Sequence, residues 1–157
     1  MSNYSVQIKT TPSMLVASYK MTIPTNEVVP DYFDKAHHAL HDFIAENKLK
    51  IIGPFRSIWH QSPDVMENEV VEGAFEIDRP ISSVGDVVVY KVPEILVASL
   101  IHRGDFEELV LAHKALQAWM DNNGYKFNGG YREIYLKNDA KDMSNSETEI
   151  QYYITKI

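Results

Sequence analysis

The feature that most constrains the fold is an internal repeat. Residues 36–60 align with residues 112–136 without a gap, at a constant shift along the chain. Upstream, residues 15–18 match residues 96–99, and downstream the segment beginning at Glu72 can be laid on the one beginning at Glu149. A repeat of about half the chain indicates a duplicated unit whose two copies stabilise each other, because a unit this small is marginal alone. The identical pairs are Ala36 and Ala112, His37 and His113, Ala39 and Ala115, Leu40 and Leu116, Asn47 and Asn123, Lys50 and Lys126, Gly53 and Gly129, Arg56 and Arg132, and Ile58 and Ile134.

Each unit is predicted to have the order strand–helix–strand–strand, from its hydrophobic periodicity and its turn residues. The fold class is therefore α+β: tandem duplicated modules, antiparallel sheets with one long helix packed on a face of each, and pseudo-two-fold symmetry. We expect a single domain over residues 1–157, with the repeat at about 4–80 and 86–157. The predicted strands are 4–9, 14–21, 55–60, 69–78, 87–90 leading into 95–102, 131–136 and 147–157, and the predicted helices are 30–47 and 106–122.

The two predicted helices carry different end signals. Pro30 suits the start of the first helix, where a missing N–H costs nothing. Asp105 with Glu108 three residues later is typical of a capping box at the start of the second, and Gly124 suits its left-handed end. A polar loop is predicted at 138–146. The predicted buried stripes are Phe33, Ala36, Leu40, Phe43 and Ile44 in the first helix, and Phe106, Leu109, Val110, His113, Leu116 and Met120 in the second.

Charge and composition exclude several classes of protein. The formal net charge of −7 and the absence of a basic run argue against direct nucleic-acid binding. The chain has no cysteine, which excludes disulfides and thiol chemistry. The N-terminus lacks the regions of a signal peptide, and no apolar run approaches membrane-spanning length. We expect a soluble cytoplasmic protein with no membrane partner.

One predicted strand, residues 131–136, carries the candidate site. Strand alternation places Tyr131, Glu133 and Tyr135 on the same face. The repeat aligns these residues with Phe55, Ser57 and Trp59, so both copies have an aromatic face and one copy adds a carboxylate. A carboxylate between tyrosines is a plausible floor for a site that holds a cation or an amphipathic molecule. The simpler alternative is a solvated strand face with a surface glutamate.

The second half of the chain resembles the GyrI-like effector-binding domains. The motifs that carry the resemblance are Val97–Gly104, Ala115–Trp119, Gly129–Tyr135 and Thr148–Gln151. These domains form the ligand-binding part of some multidrug-responsive transcription activators and also occur as stand-alone proteins. The resemblance implies a ligand cleft between two sheets, in which a glutamate of an Arg-Glu-x-Tyr strand meets the ligand. That glutamate is Glu133 here, and the following tyrosine is Tyr135.

The predicted ligand-binding residues are seven aromatic and acidic side chains. Tyr19 and Tyr152 are expected to join from neighbouring strands, with ordinary packing as the alternative. His37 and His41 have a helical spacing that could bind metal, but no zinc motif accompanies them, so we expect no metal. We expect no cofactor either, because the chain lacks a phosphate loop and a dinucleotide fingerprint. The full set is Glu133, Tyr135, Tyr131, Trp59, Phe55, Tyr19 and Tyr152.

Three functions remain open from the sequence. The first is a stand-alone protein that binds a cationic or amphipathic small molecule for sensing or sequestration. The second is a hydrolase of reactive compounds such as cyclopropanoids, an activity that the resemblance implies for some relatives, with Glu133 and Tyr135 as the catalytic pair. The third is a module that binds a protein partner such as gyrase or a regulator, in which the acidic charge would steer association.

Overall fold

The computed structural model describes residues 4–138 and 141–157. The polar loop predicted at 138–146 includes residues 139 and 140, which lie outside the described residues. Short 3₁₀ turns at Asn26–Val28 and Phe106–Glu108 precede the two helices. The elements are β1 (Gln7–Thr11), β2 (Met14–Thr25), α1 (Val29–Glu46), β3 (Arg56–Trp59), β4 (Glu67–Glu76), β5 (Val87–Val92), β6 (Ile95–Arg103), α2 (Leu109–Asn123), β7 (Tyr125–Lys137) and β8 (Glu147–Lys156).

The predicted α+β class and the predicted element order are confirmed. Strand–helix–strand–strand occurs as β2-α1-β3-β4 and again as β6-α2-β7-β8. Two strands extend by four or more residues beyond the prediction: β2 continues to Thr25, and β7 already begins at Tyr125. In β7 the ladder with β8 is irregular between Phe127 and Tyr131, where Gly129 has φ 89°. Because that irregularity interrupts the alternation of side chains, periodicity does not predict the first part of the strand.

The sheets of the two halves are joined into one, in contrast to the two separate sheets expected from the sequence. The order of the eight antiparallel strands is β1-β6-β8-β7-β3-β4-β2-β5. The junction is the pair β3–β7, in which Ser57 lies opposite Glu133 and Trp59 lies opposite Tyr131. Pairing these strands satisfies the backbone groups that each half would otherwise leave at an open edge.

The sheet must be strongly curved, because short connections join strands that are far apart in it. Thr11 of β1 and Met14 of β2 are separated by two residues, a reach of at most about 11 Å. In a flat sheet the same strands, six positions apart, would lie about 29 Å apart. The Nη2 atom of Arg132 in β7 donates to Oγ1 of Thr11 over 2.7 Å. The inside of the curve is therefore the face that carries Arg132.

The inner face carries equivalent contacts in both halves. Ser18 Oγ donates to Glu72 over 2.6 Å, and Ser99 Oγ donates to Glu149 over 2.7 Å. The repeat aligns the two serines with each other and the two glutamates with each other. These paired contacts support the duplication, which stays a prediction. Superposing residues 14–77 on residues 95–154 would test the predicted duplication.

Both helices pack on the outer face. The first buries most of its predicted stripe, whereas the predicted stripe of the second is fully buried at two positions and half-buried at Phe106, Leu109 and His113. Ala36, Leu40, Phe43 and Ile44 of α1 are buried, and so are Leu116 and Met120 of α2. Val110 was wrongly placed in the buried stripe and is 54% exposed. Val110 lies within α2 two residues before the buried Ala112, about 200° around the helix, so regular α-helical geometry turns it away from the sheet.

The end signals of α2 are confirmed at one end only. Gly124 adopts φ 77° and ψ 33°, and its N–H bonds the carbonyl of Met120, as predicted for a left-handed cap. Asp105 stands before the 3₁₀ turn, but its side chain makes no capping hydrogen bond there. The expected capping box is therefore wrong, because the 3₁₀ turn rather than the helix follows Asp105.

Candidate ligand-binding site

The candidate site lies on the outer face at the junction of the two halves. Glu133 occupies the middle of β7, opposite Ser57 of β3, and is 8% exposed. Tyr131 and Tyr135 flank it on the same strand face, as the alternation predicted. The alternative of a solvated strand face is wrong for this glutamate, because its surroundings exclude nearly all solvent.

Two aromatic pairs bridge β3 and β7 on either side of Glu133. The rings of Trp59 and Tyr131 stack with centroids 5.6 Å apart and planes 2° from parallel. The rings of Phe55 and Tyr135 stack at 6.0 Å and 17°. The structure therefore brings the four predicted aromatic residues into one continuous layer, with the carboxylate in its centre.

A chain of hydrogen bonds converges on Glu133 from β3. Trp59 Nε1 donates to Ser57 Oγ over 2.7 Å, and Ser57 Oγ lies 2.8 Å from the Tyr135 hydroxyl. The Tyr135 hydroxyl donates to Glu133 Oε1 over 2.9 Å. Because a carboxylate only accepts, the donors point in one direction, from tryptophan through serine and tyrosine to the glutamate. Ser57 was not assigned to the site from the sequence.

His113 reaches Glu133 from α2. Its Nε2 lies 2.8 Å from Glu133 Oε2, and its Nδ1 lies 2.5 Å from the Tyr152 hydroxyl. Gln117 Nε2 in turn donates to that hydroxyl over 3.3 Å. His113 thus connects Tyr152 to Glu133, while the participation of Tyr152 in binding stays a prediction. His113 itself was predicted to be buried but was not assigned to the site from the sequence. The sequence did indicate that His113 faces the sheet, since it lies on the predicted buried stripe of its helix.

The tyrosine hydroxyls of the site are held in their neutral form. Burial, followed by the charge of Glu133, raises the pKa of Tyr131 and of Tyr135 well above the ordinary value. Burial also raises the pKa of Tyr152. These groups therefore remain hydrogen-bond donors over the physiological pH range.

Aromatic side chains from both helix starts cover the layer. The ring of Phe33 in α1 lies 6.0 Å from Phe55, 6.2 Å from Trp59 and 6.3 Å from Tyr135. The ring of Phe106 lies 5.9 Å from Tyr135 in an edge-on contact. Neither cover residue was assigned from the sequence, because the contact depends on how the helices cross the sheet.

Tyr19 lies in the same row of the sheet as Glu133. It pairs with Gly73, which pairs with Ser57, and its side chain is half-buried against the apolar clusters under the helices. Gly73 lets the Phe55 ring and α1 pack closely on β4, since a Cβ there would lie 2.8 Å from the Phe55 ring and 3.0 Å from Ala36 Cβ. Tyr19 therefore shares the face of the candidate site, while its participation in binding stays a prediction.

A histidine pair on α1 and a cavity beside β1 are the other site-like features of the described residues. The His37 ring stacks on Phe55 at 3.9 Å and on His41 at 5.9 Å. Within residues 4–138 and 141–157, no three acidic or histidine side chains are grouped to hold a metal ion. A cavity of about 200 Å³ lies beside β1, but its carboxylate, Glu149, already bonds Lys9, Ser99 and Gln151.

Comparison with known families identifies the domain. The family model described as the GyrI-like small molecule binding domain matches residues 4–155. The chain belongs to the GyrI-like family. The expected fold and the general class of ligand, a small molecule, are thereby confirmed. No curated protein sequence matches this GyrI-like chain significantly.

Solved structures share the fold at low sequence identity. The C-terminal domain of EcmrR superposes with a TM-score of 0.88 at 20% identity, covering 99% of this chain and 100% of that one. In an EcmrR–DNA complex the match covers 98% of this chain and 58% of the longer EcmrR chain, with a TM-score of 0.85 at 21% identity. The GyrI-like chain thus spans somewhat over half of that regulator.

Two more distant structures also match the GyrI-like fold. A hydrolase encoded by lin2189 from Listeria innocua gives a TM-score of 0.67 at 12% identity, over 96% of this chain and 91% of that one. The structure of SAV2435 bound to tetraphenylphosphonium gives a TM-score of 0.64 at 9% identity, over 96% of this chain and 94% of that one. Within the residues that the structure describes, neither helix is long and apolar enough to span a membrane.

Proposed function

We propose that this domain binds amphipathic organic cations over Glu133, for sensing or sequestration. The observation that carries the proposal is a carboxylate that is 8% exposed, sits within an aromatic layer, and contacts no lysine or arginine among the described residues. The proposed ligand-contacting residues are Glu133, Tyr131, Tyr135, Trp59, Phe55, Tyr152 and Tyr19.

Among the described residues, the carboxylate of Glu133 has no lysine or arginine partner. Burying a carboxylate is costly unless a positive group and hydrogen bonds compensate. Here the Tyr135 hydroxyl and the His113 imidazole provide the hydrogen bonds, the imidazole is a positive partner only when protonated, and an entering cation would supply a permanent charge. Each aromatic face would add about 0.5–2 kcal/mol through attraction between the cation and the ring. The formal net charge of −7 also favours cations over nucleic acid.

The comparison structures support this class of ligand. SAV2435 has the same fold and was solved with tetraphenylphosphonium, a lipophilic cation. EcmrR carries this domain within a longer, DNA-binding regulator. These relatives suggest a sensing role as readily as sequestration for the present chain.

The test is replacement of Glu133 by glutamine. Glu133→Gln keeps the shape but removes the charge, so the affinity for tetraphenylphosphonium should fall by roughly tenfold to a hundredfold. Isothermal titration calorimetry would measure the change. Glu107→Gln, at an exposed position, is the control for net charge. Triphenylphosphine oxide, which is neutral, should bind the wild type and Glu133→Gln about equally. Unchanged phosphonium binding by Glu133→Gln would contradict the proposal.

A hydrolase is the second candidate. The observation that favours it is the direct hydrogen bond from the Tyr135 hydroxyl to Glu133, together with the contact from His113. A carboxylate and a tyrosine in contact could act as general base and electrophilic donor on a strained ring. The lin2189 protein, which shares the fold, is described as a hydrolase. Glu133→Gln should then abolish turnover of a cyclopropane substrate while its binding stays measurable. Wild-type turnover in this variant would exclude the role.

A further inference from the structure

A second carboxylate, Glu69, faces the same side of the sheet as the site. Along β4, Glu69 alternates with Val71 and Phe75, which belong to the apolar clusters under the helices. Glu69 is 4% exposed, and its Oε1 atom has no hydrogen-bond partner in the described part of the chain. A buried carboxylate oxygen without a partner is costly, so its retention calls for an explanation.

The other buried carboxylates are well satisfied. Glu72 accepts from Ser18 and Tyr90 and pairs with His60. Burial alone would raise the pKa of Glu72, but those three hydrogen bonds lower it. Glu133 likewise has Tyr135 and His113. Burial raises the pKa of Glu69, and the charge of Glu133 raises it further by a smaller amount.

An aromatic pair lies between Glu69 and Glu133. In the sheet, Glu133 shares a row with Ser57 and Gly73. The next row on the same face is Tyr131, Trp59 and Val71, and Glu69 is the following outer-face position on β4. Burial is the main cause that raises the pKa of Tyr131, and the charges of both carboxylates raise it further. The stacked rings of Trp59 and Tyr131 therefore separate the two acidic groups.

We propose that Glu69 is a second cation-binding group of the ligand site, and that the preferred ligand is a dication with an apolar linker. One cationic group would lie against Glu133 and the other against Glu69, with the linker along the Trp59–Tyr131 stack. The inference rests on the proposed function, since it uses the same site. It extends that function by naming the ligand class as organic dications rather than cations in general.

The sheet geometry bounds the length of the linker. Glu69 and Glu133 are two strands and four residues apart, which corresponds to a Cα separation of about 16 Å. Side chains that lean toward each other bring the carboxylates to roughly 8 Å, and side chains perpendicular to the sheet leave them at about 16 Å. An alkane linker of intermediate length should therefore bind best, and short or very long linkers should lose the second contact.

The experiment compares bis(trimethylammonium)alkanes, with linkers from butane to dodecane, with alkyltrimethylammonium ions of the same lengths. Wild-type protein should bind the best dication about tenfold more tightly than the matched monocation, as expected for one added charged contact. Glu69→Gln should lose that preference and keep its affinity for the monocation. Glu133→Gln should weaken binding of both. Glu67→Gln, an exposed position on the same strand, controls for net charge.

The outcomes separate the inference from the function on which it rests. If the monocation binds in a Glu133-dependent way but Glu69→Gln keeps the preference for the dication, the inference is overturned and the proposed function stands. If neither ion binds the wild type, both are overturned. The linker series needs no variant, and an affinity that shows no optimum at intermediate linker length would also overturn the inference. Thermal melting of Glu69→Gln verifies that it folds, and its melting temperature should equal or exceed that of the wild type, because an unpaired buried charge is removed.

Discussion

Equivalent positions of the two halves contribute different chemistry to one site. Ser57 and Glu133 align in the repeat and face each other across the β3–β7 pair. Glu133 supplies the carboxylate, while Ser57 relays a hydrogen bond from Trp59 to Tyr135, which donates to that carboxylate. Neither half alone contains both parts, because Trp59 and Tyr135, which also align in the repeat, provide the two ends of the relay.

Gly73 sets how closely α1 covers this site. In Gly73→Ala, the added Cβ would lie 2.8 Å from Cζ of Phe55 and 3.0 Å from Cβ of Ala36. We expect a loss of about 1–3 kcal/mol in the free energy of unfolding, because neither the ring nor the helix can move without disturbing the core. Urea denaturation would measure it. Gly53→Ala is the control, since its Cβ would meet only the ends of Arg56 and Glu76 at 3.6 and 3.8 Å. Equal stability of the two variants would contradict this view of the packing.

At the scale of elements, the turn from α2 into β7 depends on one glycine. Gly124 lies in the left-handed region, and a Cβ there would meet nothing within 4 Å. Gly124→Ala should therefore cost about 1–2 kcal/mol through backbone strain alone, without steric overlap. Gly124→Asn should cost less, because asparagine tolerates this conformation. Thermal unfolding of both variants tests the prediction, and an Ala variant as stable as the wild type would refute it.

At the scale of the whole molecule, the two halves exchange their outermost strands. β1 precedes the first module but pairs with β6 of the second, and β5 precedes the second module but pairs with β2 of the first. Each half thereby covers an edge of the other, and the β3–β7 pair joins them in the centre. The folding of either half is therefore coupled to the presence of its partner.

This exchange predicts the behaviour of fragments. Fragments 1–82 and 83–157 should each lack a cooperative thermal transition, because each would leave sheet edges unpaired and buried side chains exposed. An equimolar mixture should regain much of the native circular dichroism and a single transition. Cooperative melting of residues 83–157 alone would show that the second module is independent, contrary to this prediction.

Strand alternation and the repeat were sufficient to predict part of the site. A period of two places Tyr131, Glu133 and Tyr135 on one face whatever the surroundings, and the alignment assigns Phe55 and Trp59 to the matching strand. The same reasoning identified the strand–helix–strand–strand order and the glycine cap after α2. These properties are local, because each depends on the conformation of one continuous segment.

Tertiary structure alone decided which elements meet. The contact of His113 with Glu133, the cover by Phe33 and Phe106, and the burial of Glu69 all join residues from separate elements. The joining of the halves into one curved sheet is equally non-local, since periodicity assigns a face to a strand but not its neighbour. Pairing and helix crossing depend on how whole surfaces fit together, and that information is spread over the entire chain rather than any one stretch of it.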